Sequence, residues 1–175
     1  EENCLDHGLC LVFDGTGMGT DGKIWGAELF HVDGSSVRRL STFSGVPLPG
    51  GDVAVRYPAR QLVARFINCG SRIPGEWIHR LGISEAELYA WTSQCREGIN
   101  APVTHAAGRL FDSFSVLLGL APARITYEGQ PAIRLESAAR KFHGKAPPAF
   151  PFSQCEHDGI LLIDWKPAFA MLSNM

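Results

Sequence analysis

Phe13-Asp14-Gly15-Thr16-Gly17-Met18-Gly19-Thr20-Asp21-Gly22-Lys23-Ile24-Trp25-Gly26 closes an apolar run, Leu9-Cys10-Leu11-Val12-Phe13, that reads as a buried strand. The strand ends on a carboxylate and on five glycines within twelve residues, and a second strand leaves through Ile24-Trp25. Glycine lets backbone amides turn outward and approach a ligand closely. The segment therefore suits a hairpin that holds phosphate or metal with Asp14 at its mouth. Taken alone, an ordinary glycine-rich turn with Asp14 as its local cap is the simpler reading. Neither the P-loop nor the dinucleotide-binding pattern fits, because no Gly-Lys-Ser/Thr closes the loop and a strand, not a helix, follows it.

Further segments follow in fixed order: Pro47-Leu48-Pro49-Gly50-Gly51-Asp52, Gly98-Ile99-Asn100-Ala101-Pro102-Val103-Thr104, Gly108-Arg109-Leu110-Phe111-Asp112 and Ile125-Thr126-Tyr127-Glu128-Gly129-Gln130. With the hairpin, they resemble the HypF family, the carbamoyltransferases of nickel-iron hydrogenase maturation. The likeness lies in the family's TsaD-like domain, of the actin/hexokinase/Hsp70 ATPase superfamily, and runs from about Leu9 to about Glu136. It implies an α/β (α+β) fold: half of such an ATPase domain, a three-stranded antiparallel sheet followed by helices.

Composition agrees with a globular piece of one domain. The chain has 175 residues, 45% hydrophobic and 19% charged, which excludes disorder. A net charge of -2 gives no reason to expect nucleic acid or an anionic membrane. The five cysteines, at 4, 10, 69, 95 and 155, form no CxxC pair and leave one over, so neither a disulfide framework nor a cysteine zinc site is indicated. Reduced thiols in a cytoplasmic setting are the simplest account. No apolar run approaches the roughly 20 residues that span a bilayer. The start, Glu1-Glu2-Asn3-Cys4, lacks the basic region of a signal peptide and is expected to belong to a longer chain.

Three strands are expected first, Leu9 to Asp14, Ile24 to Val32 and Ser36 to Phe43, the last after an Asp33-Gly34 turn. These make a sheet unit over residues 1–45, a helical part over 46–140, and a linker, strand and helix over 141–175. Asp52 is a candidate N-cap, and Pro58 to Cys69 a helix closed by Gly70. Glu76 to Leu81 fits a short helical turn. Ser84-Glu85-Ala86-Glu87 has capping-box spacing and opens a helix toward Arg96. Leu110, Phe111, Phe114, Leu117 and Leu118 repeat at helical spacing, so Gly108 to Leu118 is a buried amphipathic helix with Asp112 on its polar side. Another helix follows Pro131, Ile160 to Ile163 is a strand, and Asp164-Trp165-Lys166-Pro167 begins a last helix. Gly144 to Pro151 is the one composition-biased stretch. Cys10 is expected to be buried in the first strand, and His105 to be an exposed or hydrogen-bonded loop histidine.

The resemblance assigns roles. Asp14 matches the family's metal-ligating aspartate, and the complete domain implies a divalent metal, iron or zinc, held with a His-x-x-x-His pair. No such pair occurs in this sequence, and the family's later Gly-Asp-Gly-Gly ligand segment is missing too. This stretch by itself is expected to lack the metal, since one carboxylate holds a transition metal poorly. Asp112 matches the carboxylate that accepts ribose hydroxyls, with a salt-bridged helix carboxylate, paired to Arg109, as the plainer reading. Gly129 matches a glycine lying against the nucleotide, and Thr16, Gly17 and Gly19 supply hydroxyl and amide donors for phosphate. Arg109 and Thr104 stand as the catalytic candidates. Arg109 could neutralise phosphate or carbamoyl charge, or simply pair with Asp112. Thr104 closes Asn100-Ala101-Pro102-Val103-Thr104, after which His105-Ala106 replaces the family's two small polar residues.

The implied reaction starts from carbamoyl phosphate and ATP, which a separate domain turns into carbamoyl-adenylate. The TsaD-like domain then moves the carbamoyl group to the C-terminal cysteine of HypE, toward the cyanide ligands of the hydrogenase. This sequence shows no acylphosphatase-like, zinc-finger or adenylating region, so it is expected to be inactive in isolation. Two alternatives stay open: a non-catalytic nucleotide-binding or interaction module of the same fold, and a TsaD-type threonylcarbamoyl transferase for transfer RNA. The latter's Ser-Gly-Gly-His-Thr hairpin is replaced here by Asp14-Gly15-Thr16-Gly17, and no basic stripe is visible for an RNA backbone.

Overall fold

A computed structural model describes residues 6–145 and 149–172. The Leu9–Phe43 region forms the expected antiparallel unit of β1 (His7–Met18), β2 (Ile24–Asp33) and β3 (Ser36–Phe43). The strands reach further than the sequence suggests. Asp14 is not at a strand end: β1 continues past it to Met18, and the turn comes at residues 19–23. The pairing slips between Phe13 and Gly17, so Asp14, Gly15 and Thr16 form a bulge inside β1.

Four further strands extend this unit into a seven-stranded mixed sheet. The two-residue β4 (Val46–Pro47) and β5 (Val103–Thr104) pair with each other, and β5 meets β2 in parallel at Ile24. On the far side β7 (Ile160–Asp164) runs parallel to β3 and pairs with β6 (Ser153–His157). β1 is an edge strand, which leaves Leu9, Leu11 and Phe13 exposed and Cys10 exposed rather than buried.

Between β4 and β5 lie α1 (Asp52–Arg56), α2 (Ala59–Asn68), α3 (Gly75–Arg80) and α4 (Glu85–Glu97). Gly51, not Asp52, caps α1, and Asp52 is its first helical residue. The capping box on α4 forms in full, with Ser84 and Glu87 satisfying each other's backbone N–H. After β5 come α5 (Ala107–Leu117) and α6 (Gln130–Arg140), with Pro131 in the first turn of α6, and α7 (Lys166–Leu172) follows β7. Within the biased stretch Gly144–Pro151, residues 146–148 lie outside the described residues.

The main core joins Leu62 and Phe66 of α2, Leu110 and Val116 of α5, and Phe169 of α7. Aromatic edges lock it: Phe66 meets Trp77 and Phe169 edge-on, with centroids 5.5 and 6.0 Å apart. A second cluster of Val63, Ile83 and Trp91 fastens α2 to α4. The buried face of α5 differs from the expected one. Phe111 and Leu118 point to solvent, while Arg109, Asp112 and Ser113 line up with Val116 on the buried side. No helix among the described residues is long and apolar enough to cross a membrane.

Candidate functional site

The start of α5 packs directly against the β1 bulge, and this contact builds the site. A Cβ on Gly108 would lie 3.0 Å from the Gly15 Cα, and one on Gly26 2.6 Å from the Asp14 carbonyl and 2.9 Å from the Ala106 Cβ. Glycine at these two positions is therefore a packing requirement. The bulge is held from below by Glu28, which is 1% exposed. Its carboxylate accepts the Gly26 N–H at 3.1 Å and the Arg39 Nε at 2.7 Å. The turn beyond is tied by Asp21, which accepts from the Trp25 indole at 2.8 Å and the Lys23 amide at 3.1 Å. Burial pushes its carboxyl up, but these two bonds and the Arg39 and Lys23 charges together bring it below the ordinary range. Arg39 covers the Trp25 ring at 4.0 Å.

Beside the bulge opens a cleft of about 420 Å³. Gly15 and Thr16 form one wall, and Thr126, Tyr127 and Glu128 another. Three arginines line it, Arg56 from α1, Arg109 from α5 and Arg124 from the segment before α6, together with Asp52 and Glu128. The α1 end and residues 124–125 are joined by the Ile125 N–H donating to the Arg56 carbonyl at 2.9 Å. No side chain caps α5, whose N-cap is Ala106. Arg56 and Arg124 are exposed and Arg109 is buried behind them, so the cleft carries two open arginines suited to an anion. Arg56 and Arg124 escaped the sequence reading, since only the tertiary fold brings their separate elements to Arg109.

Behind Arg109 lies a buried charge cluster. Its Nε is 2.9 Å from Asp112 Oδ2, and Asp112 is 2% exposed. Arg65, also buried, donates from Nε to Ser113 Oγ at 3.0 Å and bears electrostatically on Asp112. Burial raises the Asp112 carboxyl to about 6, with Arg109 and Arg65 pulling the other way. The same burial lowers the Arg65 guanidinium to about 10. Asp112 thus takes the salt-bridged alternative, and it is not among the residues that line the cleft.

The remaining candidates sort by position. Thr16 faces the cleft. Gly17 lies half-buried at the bulge beside the Asp14 carboxylate, and Gly19 is buried under the Trp25 ring; neither lines the cleft. Gly129 caps α6 with φ 71°, and a Cβ there would meet only the Ile133 Cδ1 at 3.9 Å. Its left-handed backbone therefore accounts for the glycine without a ligand. Thr104 is 2% exposed within β5, and its hydroxyl accepts the Ala106 N–H at 3.2 Å. It shapes the approach to α5 and does not reach the cleft. His105 is buried, with Nδ1 2.6 Å from the Phe43 carbonyl. Asp14 is exposed and accepts from the Gly15 N–H. Among the described residues no group of three His, Cys, Asp or Glu side chains could hold a metal ion. Asp14 alone does not make a metal site.

A seven-stranded mixed sheet whose glycine bulge packs against the start of α5, with helices between its strands, has the α/β architecture of half an actin/hexokinase/Hsp70-like ATPase domain. Residues 10–175 match the family described as carbamoyltransferase, Kae1-like domain, second subdomain, and the chain belongs to that family. It is 34% identical over 145 residues to the probable carbamoyltransferase HypF of Methanocaldococcus jannaschii, covering 82% of this chain and 19% of that protein. It is 39% identical over 129 residues to the carbamoyltransferase HypF of Rhodobacter capsulatus, covering 74% and 17%. Full-length HypF solved in a phosphate- and nucleotide-bound form superimposes with TM-score 0.79 at 25% identity, over 96% of this chain and 21% of that one. HypF of T. kodakarensis gives 0.74 at 31% identity, over 97% and 23%. The chain thus spans about a fifth of the length of these relatives.

Proposed function

We propose that this chain serves as one lobe of a longer HypF-type carbamoyltransferase, which moves a carbamoyl group from carbamoyl-adenylate to the C-terminal cysteine of HypE. The observation that carries this reading is the three-arginine cleft beside the glycine bulge. An acyl-adenylate brings one phosphate and a reactive carbonyl. Arg56 and Arg124 are positioned to hold the phosphate, and Arg109, fixed from behind by Asp112, to bear on charge that develops during transfer. The thiolate of HypE attacks the carbonyl carbon, the C–S bond of a thiocarbamate forms, and the C–O bond to AMP breaks.

In this scheme Asp112 is a positioning residue for Arg109, and Thr16 lends a hydroxyl to the phosphate. Asp14 would contribute one ligand to a divalent iron or zinc site whose other ligands lie outside this sequence. No step is assigned to that metal here, because the residues present do not complete it. Carbamoyl phosphate and ATP feed the reaction upstream. Neither nucleic acid nor membrane has a role, and the setting is cytoplasmic.

In the full-length parent, Arg56→Ala and Arg124→Ala should each cut carbamoyl transfer to HypE at least tenfold, as loss of a charge-assisted contact of about 1.5–3 kcal/mol requires. Carbamoyl-phosphate-dependent pyrophosphate release should persist. Unchanged transfer in both variants would reject the cleft as the adenylate site.

A further inference from the structure

A second cleft, of about 780 Å³, lies on the other side of α1 from the first and is nearly twice as large. We propose that it is a binding site for a small aromatic anion, a flat apolar body carrying one carboxylate, sulfonate or phosphate. This inference does not depend on the carbamoyltransferase reading.

The apolar part of the wall is anchored in the core. Trp91 is 6% exposed and Ile83 7%, both set in the core cluster that joins α2 to α4. Leu81, Val116 and Pro122 complete the lining. Such a surface takes a flat hydrocarbon body well, and the volume is that of an ordinary small-molecule pocket.

The charges select the other end of the ligand. Arg60 lies over the Trp91 ring at 4.8 Å, and its guanidinium has one hydrogen bond, from Nη1 to the Pro49 carbonyl at 3.2 Å. Its Nε is buried without a hydrogen-bond partner among the described residues. Arg80 enters from the end of α3, where Nη2 donates to the Leu117 carbonyl at 3.1 Å. The single carboxylate in the lining, Glu87, is already engaged by the Ser84 N–H and hydroxyl at 3.0 and 2.8 Å. Both Ser84 contacts fall on Glu87 Oε2, and the Glu87 charge bears on Arg60. Two guanidiniums with spare donors thus meet one carboxylate, and the excess positive charge favours an anion with oxygen acceptors.

The two clefts share a wall. Val53 and Tyr57 face the larger one, while Asp52, Val55 and Arg56 from the same turn line the smaller. Ala121 to Ala123 and Arg124 to Glu128 divide in the same way. The wall is joined by the Ile125–Arg56 hydrogen bond and by Arg124 lying 5.9 Å over the Tyr57 ring. An occupant of the larger cleft thus presses on the elements that carry two arginines of the first.

The test is a backbone-amide NMR titration of the 175-residue chain with 1-naphthalenesulfonate, using 1-naphthol as the uncharged control. Saturable shifts are expected at Tyr57, Gly82, Gly119 and Ala123, with a smaller one at Ile125. Arg60→Gln and Arg80→Gln should weaken the sulfonate roughly tenfold, with little effect on naphthol. Ala123→Trp, at an exposed lining position, should block both. Arg60 also holds the Pro49 loop, so if Arg60→Gln lowers the melting temperature, Arg80→Gln and Ala123→Trp decide. The proposal is overturned by shifts centred on Leu9–Phe13 of the β1 edge, by no saturable shift, or by unimpaired binding to Ala123→Trp.

Discussion

Replacing Gly26 by alanine tests the contact on which the whole site rests. The new Cβ would lie 2.6 Å from the Asp14 carbonyl oxygen and 2.9 Å from the Ala106 Cβ. Both neighbours are backbone or attached directly to it, so no side-chain rotation relieves the overlap. Overpacking of this kind costs about 1–3 kcal/mol. Gly26 also has φ +151°, where an L side chain adds about 1–2 kcal/mol of strain. The sum is about 2–5 kcal/mol. Gly22→Ala is the control, because Gly22 has φ +74° with nothing within 4 Å of its Cβ position. It should cost the conformational part alone, about 1 kcal/mol. Urea unfolding of the chain, followed by circular dichroism, measures both. If the two variants fall within about 0.5 kcal/mol of each other, the bulge does not abut α5 and the cleft geometry is wrong.

The Asp112 carboxyl, raised from an ordinary 3.8 to about 6 in the folded chain, binds a proton that the unfolded chain releases. Its contribution to stability is therefore fully present below pH 3.8 and is lost as pH rises through about 6, a swing of about 3 kcal/mol. The difference in urea stability between the native chain and Asp112→Asn should follow that slope and flatten above it. A difference that does not change with pH would show that Asp112 is not buried as described. Phe66→Ala, at a fully buried position wedged between Trp77 and Phe169, should cost about 3–5 kcal/mol in the same assay. Ser84→Ala removes the hydroxyl that accepts the Glu87 N–H at 3.2 Å and should cost about 1 kcal/mol, read as a lower melting temperature.

Much of the fold was legible because local signals and burial agree. The strand pairs of β1 to β3, the Ser84 cap and the helix over Ala107–Leu117 each carry a period or a cap that tertiary structure leaves in place. β6 was not legible, because every residue of Ser153–His157 is exposed and no alternation marks it. β4 and β5 are two residues each, too short for any period. The α5 face was misjudged for a physical reason. Phe111 and Leu118 are apolar but face solvent, and the true buried stripe holds Arg109, Asp112 and Ser113 in register with Val116. The i, i+3 spacing of Arg109 and Asp112 marks an ion pair on one helix face but not that this face is the buried one. Nothing local foretells that Arg56 and Arg124 meet Arg109, since their convergence depends on the Ile125–Arg56 bond between distant segments.

The measurement closest to the central claim is the intact mass of HypE after incubation with the full-length parent protein, carbamoyl phosphate and ATP. Asp14 sits exposed on the bulge, away from the core, so Asp14→Ala should leave the fold and the upstream adenylation intact. The native parent should add one carbamoyl group to the HypE C-terminal cysteine, and the Asp14→Ala parent should add none while still releasing pyrophosphate. Full carbamoylation by Asp14→Ala would contradict the account, because it would place the transfer chemistry away from the glycine bulge.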